Sequence, residues 1–257
     1  MRKTTTLGVL ILSLCFIMSM IAPMAAQTPT KEKPPVYTYV ASWSVPRAQW
    51  GEMEKLADAD RPILDKLVAD GVLTGYGAYT NVLHQEGEPT HGTWFAAMSE
   101  GNLLKALETI YKQPSLVGAP VQAASKHWDQ ILVDTHYGAK PGASGGYLAW
   151  SQWQIKEGEG QNYQNTVKTV WVPLLDKLLA DGTITSYGFD MEDYHSQPMG
   201  IVYEYITVPD AASLDKANKA FEDLFSSNPA LGGATRSQTK REGHRDYLTH
   251  LRFMVNK

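Results

Sequence analysis

The chain repeats itself, and the repeat restricts its fold more than any other feature. Residues 62–84, PILDKLVADGVLTGYGAYTNVLH, align without gaps on residues 173–195, PLLDKLLADGTITSYGFDMEDYH, with 12 of 23 positions identical. Chance identity at average composition is roughly 1 in 16 per position, so the segment is a duplication. The match extends outward with small gaps: QPSLVGA (113–119) on NPALGGA (228–234), HWDQILV (127–133) on HRDYLTH (244–250), and YTYVASW (37–43) on GYLAWSQW (146–153). Repeat 1 therefore covers 36–138 and repeat 2 covers 146–257. Residues 139–145, part of the Gly/Pro-rich GAKPGASGG, read as a linker.

Each copy predicts strand, helix, strand, strand, helix, strand. Val36–Trp43 is β-branched and aromatic. Apolar residues from Trp50 to Leu67 recur near helical spacing, and Gly71 and Gly182 are the expected helix stops. Pro62 and Pro173 fall inside this helical stretch, where each should kink the helix or open its second half. Leu73–Leu83 and Thr93–Met98 form a strand pair, Leu103 to Tyr111 give a second amphipathic helix, and Ile131–Tyr137 closes the unit. This is the ferredoxin-like arrangement, an antiparallel sheet with helices on one face. The bare face needs a partner, and the second copy can supply it. The predicted class is α+β, with two tandem repeats packed sheet to sheet.

On element order, duplication and the LADG-[TV]-[IL]-T-x-YG stretch, the chain resembles the dimeric α/β-barrel superfamily in a fused, pseudo-dimeric form. That superfamily includes antibiotic-biosynthesis-type monooxygenases, muconolactone isomerase-like proteins and haem-binding chlorite dismutase relatives. The resemblance implies a cavity for a small organic molecule. It does not choose the chemistry.

The N-terminus is separate. Arg2 and Lys3 precede an apolar stretch from Leu7 to Ala22, and Ala25-Ala26 supplies small residues before Gln27. Residues 1–26 read as a secretory signal peptide, with 27–35 a flexible lead-in. The expected location is secreted or periplasmic, with no stable membrane association after cleavage. The one cysteine, Cys15, lies inside the leader, so a cleaved chain has no disulfide and no thiol chemistry. A net charge of −4 without runs of like charge gives no surface for nucleic acid. The expected partner is a small molecule, and the chain is expected as a monomer (a pseudo-dimer) or a homodimer.

Candidate chemistry concentrates in YGFDMEDYHS, 187–196. His84 and His195 match between repeats; Asp190 and Glu192 have no acidic counterpart, since Tyr79 and Asn81 hold those places. Residues two apart on a strand share a face, so Asp190 and Glu192 point together and could meet Glu204 across the hairpin. His84, His195, Asp190 and Glu192 are the candidate acid/base groups. Asp190, Glu192 and His195 form an alternative divalent-metal set. Charge at a solvated strand edge would explain the same acids without chemistry. Trp43, Tyr76, Trp94, Trp150, Tyr187 and Tyr203 are candidate pocket aromatics. No cofactor is required, although haem or a divalent metal stays open. Metal-protease, phosphate-loop and nucleophile-elbow motifs are absent. The readings carried forward are a cofactor-independent oxygenase- or isomerase-like enzyme or binder of a small aromatic compound, a metal site at the acidic cluster, and a non-catalytic interaction module.

Overall fold

The computed structural model describes residues 33–194 and 197–257. The expected leader and most of the lead-in lie outside the described residues. Repeat 1 contains β1 (Val36–Ser44), α1 (Trp50–Ala69), β2 (Gly75–Asn81), β3 (His91–Ala97), α2 (Glu100–Ile110), a short α3 (Ala119–Ala123) and β4 (Lys126–Asp134). After a two-residue β5 (Gly138–Ala139), repeat 2 contains β6 (Gly142–Ile155), α4 (Gly160–Thr166), a π-helical turn (Val167–Trp171), α5 (Val172–Asp181), β7 (Ser186–Glu192), β8 (Ile201–Val208), α6 (Ala211–Ser227), α7 (Pro229–Gln238) and β9 (Thr239–Asn256). The predicted order holds in both copies. The last strands begin earlier than expected, so His127 and His244 sit on β4 and β9 rather than before them.

All pairings are antiparallel, in the order β4-β1-β3-β2-β9-β6-β8-β7, and β7 returns to β4. Eight strands thus close into a barrel, which leaves no open edge. Each repeat contributes four consecutive strands. The two seams between repeats are β2–β9 and β4–β7.

Strand alternation divides the side chains. Along β1, Tyr39, Ala41 and Trp43 join the core under α1 and α2, while Thr38, Val40 and Ser42 face the barrel interior. Repeat 2 builds the matching outer core from Tyr187, Phe189, Val202 and Ile206 against Leu175, Leu178 and Ala217. The duplicated LDKL and YG stretches meet in both copies. Tyr76 donates its phenol proton to Asp65 at 2.5 Å, and Tyr187 donates to Asp176 at 2.6 Å. One strand-to-helix staple, made twice, accounts for four of the retained residues.

Both expected glycine stops occur, in the left-handed region: Gly71 at φ 75° and Gly182 at φ 84°. The prolines diverge. Pro62 lies within a continuous α1, whereas Pro173 opens α5 directly after the π-helical turn. Pro173 has no N–H for the carbonyl four residues back, and at the junction the Val172 N–H reaches Val167 O, one residue further than in an α-helix. The segment expected as a linker is largely drawn into the sheet. Gly138 and Ala139 pair with Tyr187 and Ser186, and β6 already begins at Gly142, opposite Asn256. Gly138 lies so close under the Tyr187 ring that an added Cβ would come within 2.5 Å of it.

Candidate functional site

The barrel interior holds a cavity of about 290 Å³. Its walls are mostly apolar and aromatic: Val40, Trp94, Leu132, Leu148, Trp150 and Tyr205 among others. Its exposed lining residues, Met98, Ala139 and Lys257, lie together at one end, where β3 and β9 finish and β6 begins. Thus the cavity has a mouth at one end of the barrel.

Two glycines let the ring walls form. Gly77 pairs with Trp94 and Gly188 with Tyr205, the same positions in the two repeats. A Cβ on Gly77 would lie 2.6 Å from Trp94 Nε1, and one on Gly188 would lie 2.5 Å from Tyr205 Cε1. Each ring lies flat across its neighbouring strand because that strand carries no side chain there.

The polar part of the cavity lies on the β4–β7 seam. Leu132, Val133 and Asp134 pair with Glu192, Met191 and Asp190. The pairing then breaks over 135–137 and resumes with β5. Asp134 fills this break: Oδ1 accepts from His136 N at 2.5 Å and Oδ2 from Phe189 N at 2.9 Å. Asp190, directly opposite, is 6% exposed and has no hydrogen-bond partner among the described residues. Both carboxyls line the cavity.

Their environments separate them. Burial pushes Asp134 up to about 7, against the two backbone N–H groups that favour its ionised form. Burial, followed by the neighbouring Asp134 charge, holds Asp190 well above the carboxylate range, and nothing among the described groups offsets it. At neutral pH the pair keeps at least one proton, and Asp190 is its better holder. The arrangement offers an ionisable base next to a neutral carboxylic acid in an apolar chamber, the pattern acid/base chemistry requires.

The pair occurs once. Carrying the repeat alignment across, Asp190 corresponds to Tyr79 and Asp134 to Leu251. Tyr79 and Leu251 are themselves paired, on the β2–β9 seam, where they pack with Leu148 and Met254. At this position one seam is an apolar plug and the other sets two acids face to face, one from each repeat.

The remaining sequence candidates fall in several places. Trp94, Trp150 and Tyr203 line the cavity. Tyr76 and Tyr187 lie on the helix-covered face and hold Asp65 and Asp176. Trp43 is on that face too, stacked 5.0 Å from His127 beside a smaller cavity of about 90 Å³. Glu192 is buried beside Asp190 but does not line the cavity; its Oε1 accepts from Gln130 and Gln197. His84 is exposed on the β2–β3 loop with its ring 4.5 Å from that of Trp50. His195 lies outside the described residues. Glu204 pairs with Phe189 rather than with an acid, and its carboxylate accepts from Tyr163 on the helix side, so it does not join Asp190 and Glu192. Among the described residues no group of three His, Cys, Asp or Glu could hold a metal ion. The other matched histidines have matched partners: His127 stacks on Trp43 and pairs with Asp129, and His244 stacks on Trp153 and pairs with Asp246.

Sequence reasoning missed Asp134 and Gln130. Asp134 left one trace, an acid directly after the aligned segment HWDQILV.

No family model and no curated protein matches the chain. Solved structures are similar in fold. A candidate monooxygenase from Lactobacillus acidophilus NCFM superposes with a TM-score of 0.62 at 11% identity, over 87% of this chain and 97% of that one. A second candidate monooxygenase, from Fusobacterium nucleatum subsp. nucleatum, gives 0.61 at 9% identity over 88% and 95%. An anthrone oxidase-like protein gives 0.53 at 9% identity over 88% and 94%. At these identities the likeness is one of fold.

Proposed function

We propose that this chain, a fused two-repeat dimeric α/β barrel, binds a small, flat, largely apolar organic molecule inside the barrel and moves a proton on it. The carrying observation is the single Asp134–Asp190 pair at the wall of an aromatic-lined cavity. Asp134, held by two backbone N–H groups, is the base. Asp190, without a hydrogen-bond partner among the described residues and kept neutral by burial, is the acid or hydrogen-bond donor. Trp94, Trp150 and Tyr205 supply flat apolar surface that orients the molecule and excludes water.

Proton transfer between two carboxyls needs no cofactor, which suits the isomerase-like side of the reading; the structural neighbours described as candidate monooxygenases and as anthrone oxidase-like suit the oxygenase side. Haem is not assigned: the described residues lining the cavity include methionines and tyrosines but no histidine or cysteine, among the usual axial ligands, and no step is derived through haem. Export through the 1–26 leader, action in a periplasmic or extracellular space, and a monomeric pseudo-dimer belong to the same proposal. Among the described residues no helix is long and apolar enough to cross a membrane.

A thermal-shift screen with planar aromatic hydrocarbons, phenols and ketones tests the reading. A ligand at 100 times its dissociation constant stabilises the folded state by about 2.7 kcal/mol. Wild type should be stabilised by several members of the panel, and Trp150→Ala should lose most of the effect. An unshifted melting temperature across the panel would overturn the reading.

A further inference from the structure

Tyr203 faces Asp190 directly across β7 and β8, and Asp190 faces Asp134 across β7 and β4. Three polar side chains thus stand in a row on three adjacent strands, on the interior face, with strand spacings of about 4.8 Å. All three line the cavity.

The tyrosine is held in one hydrogen-bonding role. Gln130 Nε2 lies 2.5 Å from Tyr203 Oη and 3.3 Å from Glu192 Oε1. Gln197 Nε2 lies 2.8 Å from the same Oη and 3.1 Å from the same carboxylate oxygen. An amide nitrogen only donates, so Gln130 and Gln197 each give one N–H to Glu192 Oε1 and the other to Tyr203 Oη. The phenol oxygen accepts twice. Its own proton has no acceptor among the described residues, and its ring borders the cavity. Burial, then the Glu192 charge, raise the phenol above its ordinary range, against the two amide bonds, so Tyr203 keeps its proton to donate.

We infer that Tyr203 is a preset hydrogen-bond donor, aimed with Asp190 at a ligand oxygen that gains negative charge, so that the ligand is a planar, enolisable ketone or its enol. This rests on the proposed acid/base reading and names its substrate class. The step balances without an oxidant. Asp134 takes the proton from the carbon next to the carbonyl, the C–H electron pair becomes the C=C bond, and the carbonyl π pair moves to oxygen. Tyr203 and Asp190 hold that oxyanion. The proton then returns to the same carbon or to a conjugated one. A phenol beside a protonated carboxylic acid is a known way to stabilise an enolate in an apolar site. Gln130, Gln197 and Glu192 are positioning residues, since each acts through Tyr203.

Paired titrations with 2-naphthol and naphthalene test this. The two have the same flat apolar body, and only the first carries an enol-like oxygen. Wild type should bind 2-naphthol at least tenfold more tightly than naphthalene, with a shift of naphthol absorption toward the ionised form. Tyr203→Phe should abolish the preference and the spectral shift while leaving naphthalene affinity unchanged. Gln197→Leu, which sits in the β7–β8 loop, should remove part of the preference, again with naphthalene unchanged. Binding of both compounds with no preference in wild type, or a preference that survives Tyr203→Phe, overturns the assignment of Tyr203 and leaves the cavity reading standing. Binding of neither compound overturns the cavity reading, and this inference with it.

Discussion

At the scale of single residues, the retained positions of the duplication turn out to be mostly structural. Tyr76 and Tyr187 hold the helices, and the glycines that follow them admit the rings of Trp94 and Tyr205. Gly188 is under double pressure, because a Cβ there would also lie 2.5 Å from Asp134 Oδ2. Gly188→Ala should therefore cost about 1–3 kcal/mol by overpacking and disturb the acid pair. Gly51→Ala is the control, since a Cβ there meets nothing within 4 Å; it should be neutral or slightly stabilising in a helix. Urea unfolding midpoints of the two variants measure the contrast. The candidate site lies instead in what the repeats do not share. Asp190 stood out in the sequence because Tyr79 occupies its place in repeat 1. Asp134 did not stand out, because an acid at the end of an apolar strand is a common surface feature.

At the scale of elements, the two seams differ in kind. The β2–β9 seam runs through seven paired positions with one shift, and the β4–β7 seam through three before the break at 135–137. Placing two facing acids on the shorter seam makes it sensitive to pH. Besides each other, the charged and titratable groups acting on the pair include Lys33, which favours the ionised form of Asp134, and Tyr137, Tyr187 and Tyr205, which feel its charge. The folded-state pKa of Asp134, about 7, and that of Asp190, also raised, exceed the unfolded value near 4. Below about pH 4 both states hold the protons. As pH rises toward 7 the unfolded chain has released them and the native state retains them, so stability falls through this window. Thermal melts from pH 4.5 to 8 should show that decline. Asp190→Asn removes the unpartnered acid, so it should flatten the decline and raise the melting temperature at pH 8. An unchanged slope would argue against the shared-proton pair.

At the scale of the molecule, the site exists only because the repeats close on each other. One acid comes from each repeat, and β9 pairs with both β2 and β6 along its length. A half cut out at residues 36–138 or 140–257 would expose the interior face of its sheet and two open edges. Neither half alone should be a folded monomer, whereas the two together should assemble one to one. Size-exclusion chromatography with light scattering distinguishes these outcomes, and a stable monomeric half would contradict the closed-barrel account.

The amino-acid sequence by itself determined the duplication, the order of the elements, the helix stops at Gly71 and Gly182, and which residues share a face of each strand. These follow from local periodicity and backbone sterics, which act over a few residues. Periodicity placed Asp190 and Glu192 on one face but not on which side of the sheet, and it put Glu204 with them although its strand register points it the other way. Tertiary structure alone decided that register, the break that Asp134 fills, and the meeting of Asp134 with Asp190. These two residues come together only when the sheet closes, and no local pattern specifies which strand will lie across a seam.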